Sequence, residues 1–308
     1  MQKSAIESIK FDEVGEGIRP NRCFTIQTSE GVQYSRTVVL AIGGGSPPPL
    51  PIQPHESEGA CHSSQLLKQD VIRPHMQHKI TNGKPLNVVV IGGGLTSAQI
   101  TDLCIRKGVS KVWHIMRSDF KTKYFDLDLD WVGKYKNHNM STFWSADDDE
   151  ERFEMIRAAR NGGSITPAYK TILQGHERSK KLFIHTKTTI VRKNWDPVDK
   201  LWNIATEPPI PNLPPVDFIY YATGSTANIS ALPMLDSIKK SYPIPTVNGL
   251  PCLTNDLQWN EEVPLFMTGR FAGLRLGPGA ANLEGARMGA ERIAWRLEEI
   301  LKEGEEVA

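Results

Sequence analysis

Across residues 6–45 apolar and polar positions alternate, as in Cys23-Phe24-Thr25-Ile26-Gln27-Thr28. The chain then turns at Ser29-Glu30-Gly31 and ends in the run Thr37-Val38-Val39-Leu40-Ala41-Ile42-Gly43. A period of two marks half-solvated strands and a continuous apolar run marks a buried one, so this stretch predicts a β-meander feeding a buried strand. Pro47–Pro54 holds five prolines in eight residues, too many for a helix or a central strand, and predicts an extended surface connection at a domain crossover. From Leu86 the pattern becomes a strand (Asn87-Val88-Val89-Val90-Ile91), a glycine turn, a helix (Ser97 to Lys107) and a strand (Lys111 to Met116). Residues 86–120 thus read as a βαβ unit.

Residues 118–180 are polar and helical in character and predict a helical insertion. Asp147-Asp148-Asp149-Glu150-Glu151 stand where acids favour a helix N-terminus, ahead of Phe153, Ile156 and Ala159 at helical spacing. Strand character returns at Lys181–Ile190, turns through Asp196-Pro197-Val198-Asp199, and continues at Leu201–Thr206. It reaches a buried run, Asp217-Phe218-Ile219-Tyr220-Tyr221-Ala222-Thr223-Gly224. Arg287 to Leu301 predicts a helix with Ile293, Leu297 and Ile300 on one face.

A chain of 308 residues is long enough for two domains. Its 36 Lys plus Arg against 35 Asp plus Glu leave no net field to recruit nucleic acid or an anionic membrane, so the expected partner is a small-molecule substrate. Cys23, Cys61, Cys104 and Cys252 show no CxxC pair and no metal-ligand spacing, which suits a reducing compartment. No apolar run approaches the roughly 18 residues of a membrane span, and Met1-Gln2-Lys3-Ser4-Ala5 lacks a secretory core. The expected location is the cytoplasm, and the further partners to consider are a second copy in a homo-oligomer or a complementing chain.

The candidate chemistry lies in Ile91-Gly92-Gly93-Gly94-Leu95-Thr96-Ser97-Ala98, a GxGxxG-like match between a strand and a helix. Gly92 permits a tight turn, Gly94 lets a pyrophosphate approach the backbone, and the helix starting near Thr96 points unpaired N–H groups and a positive dipole at the phosphates. Ser97 replaces the third glycine and is small enough for close helix packing. An NAD enzyme places an acid near the end of the next strand to hold the ribose 2′-OH, whereas here the strand ends in Met116-Arg117-Ser118. Arg117 and Ser118, with Lys121 and Lys123 nearby, suit a 2′-phosphate and favour NADPH over NADH. The alternative for Arg117 is an ordinary surface ion pair.

Val39–Gly43 and Tyr220–Gly224, flanking this unit, resemble the paired crossover strands of flavoproteins with two dinucleotide-binding domains. Pro264–Arg270 and Gly277-Pro278-Gly279-Ala280-Ala281-Asn282-Leu283 resemble their returning FAD segment. Within that group the order of features is similar to the NADPH-dependent flavin monooxygenases, including the ornithine and lysine N-hydroxylases: crossover strand, proline-rich link, His62-Ser63, GGGLTS, Arg117, insertion, then Ala222-Thr223-Gly224. Glu58 stands where their longer signature has a glycine four residues before the histidine.

The resemblance implies an α/β fold, with a Rossmann-like NAD(P)-binding domain (46–228) inserted in an FAD-binding domain (1–45 and 229–308), as three layers with a parallel sheet plus β-meander. It implies NADPH and FAD as cofactors. Ala222, Thr223, Gly224, Gly279, Asn282 and Leu283 join Gly92 to Ser97, Arg117 and Ser118 as cofactor-binding positions. The implied reaction is hydride transfer to flavin followed by oxygenation of a small nucleophile, with the cofactors doing the difficult chemistry. No Ser/His/Asp or metal constellation is then expected, and catalytic residues stay unassigned.

Such flavoproteins open with a strand, GxGxxG and helix for the FAD pyrophosphate. Gly15-Glu16-Gly17-Ile18-Arg19-Pro20 follows Asp12-Glu13 rather than an apolar strand and reads as a decoy. The expectation is therefore a partial FAD domain. This carries a second functional reading, an NADP(H)-binding protein without its own FAD or activity, or one completed by an FAD-domain chain. A disulfide reductase is disfavoured, because Cys104 has no nearby partner.

Overall fold

The computed structural model describes residues 4–13, 22–43, 47 and 49–306. The decoy at Gly15–Pro20 and the domain boundary expected at 45–46 lie outside them. In chain order the elements begin with strands β1 (Ile6–Glu13), β2 (Arg22–Thr28), β3 (Gly31–Ser35) and β4 (Val38–Leu40). Next come β5 (Ala60–His62), α1 (Pro74–Thr81), β6 (Asn87–Ile91), α2 (Leu95–Arg106) and β7 (Lys111–Ile115). Helices α3 (Lys136–Trp144), α4 (Asp149–Arg160) and α5 (Pro167–Arg178) follow. Then come β8 (Leu182–His185), β9 (Thr189–Asp196), β10 (Leu201–Glu207) and β11 (Phe218–Tyr221). The chain closes with α6 (Asp236–Ser241), β12 (Thr246–Val247), β13 (Leu250–Pro251), β14 (Leu265–Met267), α7 (Gly273–Leu276) and α8 (Leu283–Glu306).

The chain divides into two compact units, one of residues 1–46, 130–159 and 225–308, the other of 47–129 and 160–224. Residues 130–159, part of the stretch expected to form one insertion, group with the first unit because Phe153 and Ile156 pack against its core. Helix α5 groups with the second, where Leu173 is buried.

The second unit is built on a five-stranded sheet in the order β5-β11-β6-β7-β8, with every pairing parallel. Val88, Val90, Val112, Phe218 and Tyr220 share one buried cluster with Ile100 and Cys104 of α2 and Leu173 of α5. Val89, Trp113, Ile219 and Tyr221 share another with Trp195 and Trp202 of the β9–β10 hairpin. Alternate residues of each strand thus serve opposite cores, which is why the strands read as unbroken apolar runs. The hairpin turns where Asp196 Oδ1 accepts from the Val198 and Asp199 amides. Gly59, just before β5, fits beneath that hairpin: a Cβ there would lie 2.3 Å from the Trp195 ring and 2.5 Å from Trp202 Nε1, which itself donates to Gly59 O at 2.8 Å.

The first unit holds the predicted meander, with β1, β2 and β3 antiparallel in that order, and a parallel pair β14–β4. Phe11 and Phe24 pack with ring centroids 4.7 Å apart, tilted by 40°, across β1 and β2 in a core that also takes Phe266, Phe271 and Ile293. Strand β4 is shorter and more open than its apolar run predicts, with Val39 and Ile42 exposed, because among the described residues it pairs on one edge only, with β14. Helix α4 starts as its acids predict: Asp148 Oδ1 accepts from the Glu151 amide at 2.8 Å. Among the described residues no helix is long and apolar enough to cross a membrane.

One polar side chain lies in the centre of the parallel sheet. His114 on β7 is fully buried, its Nε2–H donates to Gly92 O at 2.8 Å, and Nδ1 has no partner. Burial pushes its pKa down to about 4, the bond to Gly92 opposing, so the folded protein holds it neutral. The unfolded chain takes up this proton below its ordinary 6.5, so stability is full above that value and falls as the pH drops from there to about 4. In urea unfolding the wild type should lose on the order of 2 kcal/mol more than His114→Gln across this window; equal slopes would show that His114 is not the buried base described here.

Candidate functional site

In a parallel sheet the strand ends nearest the carboxyl terminus share one edge, and the loops that leave them form a crevice. Here those loops carry His62 from β5, Ala222-Thr223-Gly224 from β11, Gly92-Gly93-Gly94 from β6 and Arg117-Ser118 from β7.

The glycine turn is determined by steric exclusion. Gly92 has φ +148, and a Cβ there would lie 2.3 Å from Ala222 O, so only glycine fits between β6 and β11. Its amide donates to Ile115 O at 3.0 Å and its carbonyl accepts from His114, so β7 fixes both faces of the peptide. Gly94 is the residue before α2, in extended conformation, and accepts from the Ser97 hydroxyl at 2.6 Å. Ser97 is fully buried and fills the place of the third glycine. The amides of Leu95 and Thr96, in the first turn of α2, have no helical acceptor and carry the positive end of the helix dipole. No heavy atom lies within 4 Å of where a Gly93 Cβ would stand. The turn therefore offers open backbone and unpaired donors, which is what a dinucleotide pyrophosphate requires.

Arg117 and Ser118 are exposed at the end of β7. Their backbone is pinned: Met116 N–H donates to His185 O at 2.8 Å, Thr188 N–H to Met116 O at 2.9 Å and Lys187 N–H to Ser118 O at 3.4 Å. Lys121 and Lys123, which the sequence offered as helpers at a phosphate, are occupied elsewhere. Lys121 Nζ donates to Asn161 O and Oδ1, both at 2.8 Å, and Lys123 Nζ donates to Arg160 O at 3.0 Å and pairs with Asp128 at 2.7 Å. The carbonyls closing a helix lack internal N–H donors and carry its negative end, so they compete well for these ammonium groups.

That clasp creates a feature sequence reading missed. Asn161 and Gly162 take left-handed conformations, φ +47 and +79, and swing Gly163 onto the fingerprint. A Gly163 Cβ would fall 2.8 Å from Gly94 N and 2.9 Å from the Gly93 carbonyl carbon, so two glycine loops meet backbone to backbone. The available signal was Asn161-Gly162-Gly163 two residues ahead of Thr166-Pro167, where Thr166 is the N-cap of α5.

His62 joins the crevice from the edge strand. Its Nδ1 accepts from the Ser64 amide and hydroxyl at 3.2 and 2.9 Å, which leaves the proton on Nε2 to be donated to Gly224 O at 3.1 Å. Burial pushes its pKa down, the Gly224 bond opposing. The His62-Ser63 pair is thus the end of a three-residue strand and the cap of the turn that follows. Thr223 and Gly224 are exposed, Gly224 with φ +80.

Gly279, Asn282 and Leu283 lie in the first unit, where β14 returns into α8. Asn282 Oδ1 accepts from the Gly285 amide at 3.1 Å and caps the helix. Cβ atoms at Gly285 and Gly289 would collide with Gly279 O at 2.4 Å and Thr268 Oγ1 at 2.3 Å, so the return segment lies flush on the α8 backbone. Leu283 is 90% exposed, an apolar side chain left open at the start of the helix.

Residues 3–188, more than half of the chain, match the family model described as L-lysine 6-monooxygenase/L-ornithine 5-monooxygenase. Among solved structures, the chain is similar to the L-lysine 6-monooxygenase of Pseudomonas syringae (16% identity, TM-score 0.67, covering 96% of this chain and 71% of that one). It is also similar to the ornithine hydroxylase of Pseudomonas aeruginosa (16%, 0.68, 97% and 71%). A third is the ornithine N-hydroxylase of Kutzneria sp. 744, in complex with reduced FAD, NADP+ and L-ornithine (14%, 0.70, 96% and 71%). At these identities the structures establish the shared fold. A sequence search of curated proteins found no match.

The two glycine loops predict different outcomes for the same substitution. Gly93→Ala adds a methyl into open space, so the melting temperature should stay put, within the about 0.5 kcal/mol of a neutral surface change, while NADPH titration weakens at least about tenfold. Gly163→Ala should lower the melting temperature, at a cost of about 1–3 kcal/mol for overpacking. Unchanged nucleotide binding in Gly93→Ala would remove the fingerprint from the site.

Proposed function

The chain belongs to the L-lysine 6-monooxygenase/L-ornithine 5-monooxygenase family, and from that premise we propose that it is an NADPH- and FAD-dependent monooxygenase acting on the terminal nitrogen of a small aliphatic amine. The observation that carries this reading is the glycine turn between parallel β6 and α2, with exposed Arg117 at the end of the next parallel strand. The solved relatives include enzymes named for L-lysine, ornithine and cadaverine, which share a primary amine on a flexible chain. When bound, NADPH and FAD would supply the reducing equivalents and the oxygen activation for the overall change of amine, O₂, NADPH and a proton into hydroxylamine, NADP+ and water.

The chain's own residues position these groups. The Leu95 and Thr96 amides and the open backbone of Gly93 would hold the pyrophosphate, with Gly94 backed by the Gly163 loop. Arg117 and Ser118 bind the 2′-phosphate, which a guanidinium meets with paired charge-assisted hydrogen bonds. Thr223 and Gly224, tied to His62, border the nicotinamide half. In the first unit, the α8 start at Asn282 and Leu283, with Gly279 beside it, would border a bound flavin: Leu283 would shield it from water, and the Asn282 cap fixes the direction of the helix dipole. A second reading, nucleotide binding without flavin chemistry, is favoured by the size of the β14–β4 sheet, two strands of three residues each.

The deciding measurement is an absorbance spectrum after incubation with FAD and desalting, followed by NADPH under air with L-lysine, L-ornithine or cadaverine. The proposal expects a retained flavin band, bleached by NADPH, and hydroxylamine formed from one of the amines. NADPH binding with no retained flavin would overturn it in favour of the second reading. Arg117→Ala should raise the KM for NADPH about 10–100-fold, the worth of a charged hydrogen bond of about 1.5–3 kcal/mol, and leave that for NADH unchanged. Parallel losses with both nucleotides would refute the 2′-phosphate assignment.

A further inference from the structure

The first unit contains a cavity of about 410 Å³ that none of the assignments above uses. Trp144 of α3 and Trp295 of α8 flank it, 47% and 65% exposed, and Arg152, Arg275, Arg292 and Asp256 supply its charge. Two open tryptophans on one small concavity are unusual, because a large aromatic ring is ordinarily buried in a core or an interface.

The guanidinium groups outnumber the carboxylates that meet them, although backbone carbonyls also accept: Ala146 O from Arg152 Nη2 at 2.7 Å and Leu274 O from Arg275 Nη1 at 3.2 Å. Arg152 Nη1 and Arg275 Nη1 both donate to one oxygen, Asp149 Oδ1, so two cations share one carboxylate. Arg275 Nε is buried with no acceptor. Arg292 lies with its guanidinium carbon 5.5 Å from the Trp144 ring centroid. Its hydrogen bonds leave from Nη1 alone, to Asn255 O at 3.3 Å and Arg275 O at 3.5 Å, and among the described residues Nη2 and Nε have no acceptor. Burial pushes the Arg292 pKa below its ordinary value; Asp256 opposes this and Arg275 adds to it. Three guanidiniums against the carboxylates of Asp149 and Asp256 leave one positive charge without a counter-ion, and a buried donor without an acceptor calls for one.

We infer that this cavity is a binding site for a small planar aromatic carboxylate, its ring held against Trp295 and its anionic oxygens on the open Nη2 and Nε of Arg292. A carboxylate provides the single negative charge and the acceptors that these groups lack, and the planar fork of a guanidinium is matched to it. Trp295, the more exposed of the two, provides an aromatic wall, on which an aromatic ring stacks better than a saturated one, while Trp144 carries Arg292 over its ring. The volume lies within the range of small-molecule pockets, about 300–1,000 Å³.

The test is isothermal calorimetry and saturation-transfer NMR on the full chain with 2-naphthoate, which needs neither NADPH nor FAD. Cyclohexanecarboxylate, which lacks the ring, and 2-naphthalenemethanol, which lacks the charge, serve as controls. One site tighter than about 1 mM is expected for 2-naphthoate, with both controls at least about tenfold weaker. Arg292→Gln should abolish binding, and Trp295→Ala, a change on the surface, should weaken it severalfold while leaving the circular dichroism spectrum unaltered. Failure of 2-naphthoate to bind, equal binding of the alcohol, or binding unaffected in Arg292→Gln and Trp295→Ala would overturn the inference.

Discussion

The dinucleotide-binding unit depends on a position where no side chain fits. At Gly92 a single peptide is held from three sides: Ala222 O stands where its Cβ would be, Ile115 O accepts its amide hydrogen, and His114 donates to its carbonyl. Strands β11, β6 and β7 are brought to a common edge at this residue. Every loop of the crevice takes its starting point from one of those three strands or from β5 beside them. The constraint is steric and hydrogen-bonded at once, so that the turn is specified before any ligand arrives.

Much of the site is consequently made of backbone. The fingerprint offers amides and empty space, the second glycine loop at Gly163 meets it without side chains, and the lysines nearby spend their charge on carbonyls at the end of α4. Charge near a phosphate site is therefore a weak guide to contact with the phosphate. Lys121 and Lys123 act at one remove, by holding Asn161 and Arg160 and so the loop that carries Gly163.

The parts legible from sequence were those where one physical cause dominates. Val88 to Ile91 and Phe218 to Tyr221 serve cores on both faces of the sheet, so their apolar runs announced buried strands. Asp147 to Glu151 announced a helix start because acids cap and complement the dipole there. Strand β5 escaped notice because three residues, Ala60-Cys61-His62, carry no period, and its existence depends on β11, which lies more than 150 residues away in sequence. The Gly163 loop escaped for a related reason: its glycine answers to Gly94, not to its own neighbours. The boundary within 118–180 was hidden as well, since helical periodicity shows that Phe153 and Ile156 face a core but not which one.

The contrast between Gly92 and Arg117 also bears on how such a protein can change over time. Gly92 is locked into the meeting of three strands, and a replacement there disrupts folding together with binding. Arg117, on a neighbouring loop, projects from a backbone secured by Met116, Ser118 and the turn at 185–188, and its side chain supports no core. The residue assigned to nucleotide choice can therefore drift with little penalty to the scaffold. On that assignment, descendants of this chain could exchange one reducing nucleotide for another by a few surface substitutions, while the glycine on which three strands converge stays fixed.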